Sequence, residues 1–308
     1  MSLYLKHRPQ TLEAVHGNAA TVGSLKTLLA RPLAEVPRAL LFVGPSGCGK
    51  TTLARIVATA LGAAEADVRE IDSADYRGID SVRDIRQQMR LRPLAGPLRA
   101  WILDECHQAT KDAQSALLKA LEDTPSHVLF LLATTDPQKL LPTIRNRCSQ
   151  YQVAPLTEGE VVGLLRQVAR AERKRPIAEV LDRIARDCLG SPRAALVLLD
   201  KVIDLPPDQQ LEAVEKAAAA ESQAIELCRA LLKGESWKTV AGLLKGLQEQ
   251  EAENTRRAVL GYMQSVLLGG GKNDRAALCL EAFAPPTYDM GWPAVTLAAY
   301  TVVEGGGR

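Results

Sequence analysis

Aromatic residues are scarce in this chain: phenylalanine, tryptophan and tyrosine together supply 4% of its 308 residues. A core so poor in rings must be packed from aliphatic side chains, and plentiful alanine and leucine tilt the balance towards helix. Clustered cysteines are missing as well. The six stand at 48, 106, 148, 188, 228 and 279 with no Cys-x-x-Cys, which speaks against a disulfide framework or zinc site and for scattered free thiols in a reducing compartment. Cys106 and His107 adjoin, but two neighbouring ligands on one short loop cannot close a tetrahedral site. No apolar run approaches the roughly 20 residues of a membrane span, and the first ten residues hold no apolar signal core. A cytoplasmic location is the expectation. Net charge is also slight, +2 overall, so any surface for nucleic acid has to be a local patch.

What is present begins with length, which exceeds one ordinary domain. From residue 39 to about 153, short β-rich runs alternate with helical stretches: Ala39–Val43, Val68–Ile71, Ala100–Asp104, Val128–Ala133 and Gln150–Val153. Such alternation implies a mostly parallel sheet with helices on both faces. Near Leu156 the pattern changes. Thr157-x-x-Glu160 reads as a capping box ahead of Val161, Leu164, Leu165 and Val168 at helical spacing. A second helix, 178–189, stops at Gly190, and Ser191-Pro192 reads as an N-cap with proline at the first helical position. Leu205-Pro206-Pro207-Asp208 is the expected linker, since paired prolines cannot continue a helix. Beyond it the pattern is helical: Val240, Leu243, Leu244 and Leu247 share a face, and Ala258 to Leu268 is apolar enough to be largely covered. The expected domains are 1–155, 156–205 and 206–308.

Chemistry is concentrated at Gly44-Pro45-Ser46-Gly47-Cys48-Gly49-Lys50-Thr51, which follows the first apolar run and leads into a helix at Thr52. This is a full phosphate-cradling P-loop. Glycines let backbone N–H groups close around phosphate oxygens, Lys50 reaches the β/γ-phosphates, and the Thr51 hydroxyl holds magnesium. A strand ending in Asp104-Glu105 is what metal-assisted hydrolysis needs: Asp104 for magnesium, Glu105 to orient and deprotonate water. The strand 128–133 runs into Thr134-Thr135-Asp136, where a polar side chain could reach both γ-phosphate and water. Thr135 is favoured, with Thr134 the alternative. Between Arg77 and Arg99 lie Arg77, Arg83, Arg86, Arg90, Arg92 and Arg99. A helix capped by Asp80 or Ser81, with Val82, Ile85 and Met89 inward, would carry Arg83, Arg86 and Arg90 on one basic stripe. With Arg77 and Ser81 these are the candidates for DNA phosphates.

The segments Ile71 to Ala74, Asp104 to His107, Ala113 to Glu122 and Thr134 to Cys148 resemble clamp-loader ATPase subunits of the AAA+ class: bacterial tau/gamma, small replication factor C and bacteriophage large subunits. The likeness spans about residues 4 to 200. Its most specific piece is Leu141 to Cys148, where the family carries Ser-Arg-Cys and this chain Asn146-Arg147-Cys148. The resemblance implies that Arg147 is an arginine finger delivered to a neighbouring subunit's nucleotide, with Arg145 the rival. It makes Arg193, in the first turn after Ser191-Pro192, a sensor of the γ-phosphate of its own subunit. Arg8, Pro9 and Val15 would pack around adenine. It implies an AAA+ P-loop domain with a five-stranded parallel sheet, a small helical lid and an all-helical collar-like domain, using ATP and Mg2+. The implied partners are other loader subunits in a five-membered arc, a sliding clamp and primer-template DNA. The four-cysteine zinc module of the bacterial form is missing between Leu61 and Val68, and no long extension precedes the end at Arg308; both point to compact phage or replication-factor-type subunits. From position, Gln114 and Lys119 are expected to couple the DNA face to the ATP site. The rivals are a non-hydrolysing subunit of the same assembly, and another AAA+ remodeller such as a helicase loader or branch-migration motor.

Overall fold

The computed structural model describes residues 2–71, 78–248, 252–268, 273–285, 287 and 290–305. The chain forms two compact units, Met1–Leu211 and Glu212–Arg308.

In the first unit the elements run α1 (Leu3–Lys6), α2 (Ala19–Leu29), β1 (Ala39–Val43), α3 (Lys50–Ala60), β2 (Ala63–Ile71), α4 (Ile79–Gln88), β3 (Leu98–Leu103), α5 (Lys111–Glu122), β4 (Val128–Thr134), α6 (Pro142–Arg147) and β5 (Ser149–Gln152). They continue with α7 (Glu158–Ala171), α8 (Ala178–Asp187) and α9 (Pro192–Val202). The strands form one sheet in the order β2-β3-β4-β1-β5, parallel throughout. Every residue of β1, β3 and β4 is buried, as expected of strands covered on both faces. Alternate side chains feed two cores. Leu41, Trp101, Leu103, Phe130 and Leu132 meet α4 and α5 through Val82, Ile85, Ala113 and Leu117. Leu40, Phe42, Ala100, Ile102 and Leu131 meet α2 and α3 through Leu25, Leu53, Ile56 and Val57.

Buried polar groups brace the sheet edge. Arg99, inside β3, donates to the carbonyls of Gln88 and Arg92, so it belongs to the framework and leaves the basic surface expected of this stretch. Asp67 accepts the backbone N–H groups of Leu94, Ala95 and Gly96. Burial would raise its pKa, but these three bonds and the nearby Arg99 charge hold the carboxyl below its ordinary range.

Helix α7 opens with the expected capping box, Thr157 and Glu160 exchanging bonds with each other's backbone. Helix α9 opens on Ser191, whose hydroxyl accepts from the Ala194 N–H, with Pro192 next. Helix α8 ends at Asp187, two residues before the expected stop. The proline pair does separate two helices, but Pro207 itself begins α10 (Pro207–Lys233), because a first-turn residue has no intrahelical partner for its N–H. The division into units falls inside that helix.

The second unit contains the rest of α10 with α11 (Trp237–Leu247), α12 (Ala252–Leu268), α13 (Asp274–Phe283) and α14 (Trp292–Gly305). Its core joins Leu227, Leu231, Val240, Leu244, Val259, Met263, Phe283 and Val302. Along 258–268 Val259 and Met263 are buried, and Leu260, Tyr262, Val266 and Leu267 pack partly buried against the same core, so most of the apolar side chains of α12 are covered, as expected. Among the described residues no helix is long and apolar enough to cross a membrane.

Candidate nucleotide site

Strands β1, β3 and β4 end side by side, and their following loops meet at the carboxyl edge of the sheet, where open α/β folds place ligands. The loop after β1 is built for close approach. A Cβ on Gly44 would run into the carbonyl oxygen of Val153, and one on Gly47 into the Ser191 hydroxyl. Gly47 and Gly49 hold φ of +75° and +102°, conformations that L side chains resist. The Lys50 side chain is buried, and its ammonium donates to the carbonyls of Gly44 and Pro45, both at 3.0 Å. It also stands 3.7 Å from Glu105.

From the next two strands come the acids and the threonines. Thr51 Oγ1 donates to Asp104 Oδ2 at 2.8 Å. Two hard oxygen donors so close suit a magnesium ion that keeps most of its water. Glu105 adopts φ 46° and receives bonds from the Thr135 N–H and hydroxyl, each at 3.0 Å. Its Oε2 also lies 3.3 Å from His107 Nδ1. Burial pushes the Glu105 pKa up, yet His107, the Lys50 charge and Thr135 together bring it below the ordinary value. The carboxylate is therefore ionised and ready to accept a proton. Thr134 points the other way: fully buried, it pairs with His107 Nδ1 and accepts the Asp136 N–H.

Lys50, Thr51, Asp104 and Glu105 open onto a cleft of about 300 Å3, whereas Thr135, which bonds to Glu105, is not among the residues that line it. It is lined by residues 46–53 with Asp104 and Glu105, by Tyr4, Arg8, Pro9 and Val15 of the front segment, and by Pro192, Arg193 and Leu196 of α9. The Arg193 guanidinium lies 5.7 Å from the Tyr4 ring centre. The front segment is fastened to the α7–α9 helices: the Asp200 carboxylate accepts from the Ser2 hydroxyl and Leu3 N–H, and Glu172 pairs with Lys6 and His7. Leu156 N donates to Gly190 O at 2.9 Å, joining the start of α7 to the start of α9.

Arg147 does not line this cleft. It closes α6 and pairs with Glu122 at 2.6 Å, half exposed. Arg145 Nε is buried without a hydrogen-bond partner, a poor disposition for a group meant to reach another molecule. Gln114 is buried on α5: its amide donates to the carbonyls of Ala109 and Lys139 and its Oε1 accepts the Leu141 N–H. One side chain thus ties the loop after Glu105 to the segment before the arginine helix. Lys119 lies in the last turn of α5.

The basic helix departs from expectation at its start. Gly78 is the N-cap, and neither Asp80 nor Ser81 caps it with a side chain; Asp80 instead pairs with Arg83 at 2.9 Å. Val82, Ile85 and Met89 are buried as expected, leaving Arg83, Arg86 and Arg90 on the outer face. Arg86 lies 3.7 Å from Asp123. Exposed pairs of this kind contribute about 0–1 kcal/mol, so a phosphate could replace either carboxylate at little cost. Arg77 lies outside the described residues. Not expected at the site from sequence are His107, which pairs with Glu105 and Thr134, and Asn18, Leu164 and Leu196, which line the cleft. His107 could have been found from its place beside the acid pair; the leucines are indistinguishable in sequence from helix core.

A family described as DNA polymerase III, delta subunit, matches residues 63–157. The chain is 35% identical over 228 residues to DNA polymerase III subunit tau of Bacillus subtilis, covering 67% of this chain and 40% of that protein. It is 31% identical over 307 residues to the gamma/tau subunit of Mycobacterium tuberculosis, covering 92% and 50%. The chain thus spans about half the length of such relatives, or less. Among solved structures, a Thermotoga maritima RuvB, titled a Holliday junction branch migration motor, superposes with a TM-score of 0.59 at 20% identity, covering 77% of this chain and 85% of the other. At that identity the likeness establishes the fold and nothing narrower.

Proposed function

The chain belongs to the clamp-loader class of AAA+ proteins represented by the DNA polymerase III gamma and tau subunits, and on that premise we propose that it is an ATPase of a multisubunit assembly that places a ring-shaped clamp on primer-template DNA. Its single strongest support is the division of catalytic groups: Lys50, Thr51, Asp104 and Glu105 share one cleft, while Arg147 stands outside it.

ATP enters with its adenine against Arg8, Pro9 and Val15 and its phosphates over the loop from Gly44 to Thr52. Pro45, Ser46, Gly47, Cys48 and Gly49 present backbone groups to the phosphates, and Lys50 turns from the Gly44 and Pro45 carbonyls to the β/γ-oxygens. Thr51 and Asp104 would hold magnesium, which would supply positive charge against the phosphate oxygens. Glu105 orients and deprotonates the attacking water, Thr135 holds Glu105 and the water's neighbourhood in place, and Arg193 binds the γ-phosphate from the lid formed by residues 156–205. Arg147 completes a neighbour's site, where a guanidinium supplied in trans is worth about 10³–10⁵ in rate. The pair with Glu122 is half exposed, so its release costs about 1 kcal/mol or less. ATP binding closes the arc and holds the clamp open; DNA contact through Arg77, Ser81, Arg83, Arg86 and Arg90 triggers hydrolysis and release. The helical second unit serves as the collar that holds subunits together.

The experiment is the ATPase rate of the reconstituted assembly with and without clamp and primed DNA. Stimulation by both, lost at least about 10³-fold at the neighbouring site in Arg147→Ala with ATP binding intact, is the expected result. An unstimulated rate moves the assignment to another AAA+ remodeller, and normal turnover by Arg147→Ala removes the finger in trans.

A further inference from the structure

The turn between α7 and α8 gathers positive charge away from the nucleotide cleft. Arg166, Arg170, Arg173, Lys174 and Arg175 line a concavity of about 570 Å3. All five are exposed. Glu172 is the only acid within 166–175, and its carboxylate is already taken by Lys6 and His7. Lys174 pairs with Asp204 at 2.6 Å; among the described residues none of the four arginines has a carboxylate partner.

The backbone fixes these cations in place. Lys174 N donates to Ala169 O at 2.8 Å and Arg173 N to Arg170 O at 3.0 Å, the closure of a helix end by a left-handed residue. That residue is Arg173, at φ 57°, where glycine is the usual choice. The connection thus accepts backbone strain and keeps a guanidinium. Ala178, in the first turn of α8, also lines the concavity; that helix has no side-chain cap, and Glu179 in the same turn offsets the field of its first N–H groups, so the positive charge comes from the side chains.

The lining contains no aromatic residue. Bases would find nothing to stack on, whereas phosphates would find guanidinium forks. Arg166 and Arg170 are one turn apart, about 6 Å along the axis, and a nucleic-acid strand offers a phosphate about every 3.4 Å of helix axis. We propose that this concavity is a second nucleic-acid site, gripping the sugar-phosphate backbone without reading sequence and separate from the stripe on α4.

The test is anisotropy of a labelled DNA duplex with the full chain across a salt series. The variant carrying Arg170→Glu, Arg173→Glu and Arg175→Glu should weaken binding about 10-fold or more and flatten log K against log[salt] by about two to three, at roughly 0.9 per lost phosphate contact. Binding of a fluorescent ATP analogue should be unchanged, and the corresponding lysine variant should keep most of the affinity. Arg83→Ala with Arg86→Ala and Arg90→Ala reports separately on the α4 surface. Duplex affinity and slope unchanged in the glutamate variant overturn the proposal. So does a variant that keeps the duplex but loses inorganic tripolyphosphate, which marks a small-anion site, or loses labelled poly-glutamate, which marks an acidic protein partner.

Discussion

Glu105 shows how one carboxylate is held charged in a confined site. Burial opposes ionisation, while His107, Lys50 and the Thr135 pair of donors outweigh it. Because the folded pKa is depressed, the carboxylate contributes stability above the ordinary glutamate range, and that contribution is lost as pH falls through the lower folded value. The same sign governs turnover: the acid limb of the pH–rate profile should lie below about 4.3, the unperturbed value. His107→Ala removes the largest charge-favouring contact and should move that limb to higher pH; an unmoved limb would assign it to another group. Glu105→Gln should bind ATP without turnover, and Lys50→Ala should lose nucleotide binding altogether, both read by nucleotide titration beside a rate measurement. At this scale the sequence was informative wherever chemistry demands a residue type at fixed spacing. It was silent on direction, because β4 ends at Thr134 and only the structure shows Thr134 turned towards His107 and Thr135, just past the strand, towards Glu105.

Among the elements, α5 connects what the loops separate. Gln114 bonds to Ala109 on one side and to Lys139 and Leu141 on the other, so a shift of either segment is felt by the other. Gln114→Ala should blunt stimulation by DNA while sparing basal hydrolysis, and equal losses in both rates would refute the coupling. Because the substitution leaves buried backbone groups unpaired, it should also cost about 1–3 kcal/mol in stability. Strand runs, the capping box and the Ser191-Pro192 start were legible because each follows from local rules. The α4 cap was misread: Asp80 is a common capping residue, but Gly78 precedes the helix and Asp80 is drawn into a pair with Arg83. Arg99 was listed with the basic stretch because nothing in sequence marks a strand arginine whose terminal nitrogens are held by the carbonyls of Gln88 and Arg92.

Over the whole molecule, nucleotide binding and the second helical unit should be separable in stability. Saturating ATP analogue at about 100 times Kd stabilises whatever binds it by about 2.7 kcal/mol. It should raise the unfolding transition of Met1–Leu211 and leave that of Glu212–Arg308 in place. Conversely Phe283→Ala, at a position 1% exposed in the second core, should lower the second transition by about 3–5 kcal/mol with ATP affinity unchanged. A single merged transition in both experiments would show that the units unfold together. The front segment carries a consequence of its own. Residues 2–7 are pinned to Asp200 on α9 and to Glu172 just past α7, and α7 and α9 are stapled together by Leu156 and Gly190. The two sets of side chains that line the cleft are therefore tied to one another, and Asp200→Ala, far from the P-loop in sequence, should loosen both and weaken binding of a fluorescent ATP analogue; an unchanged affinity would show that the tie is not used.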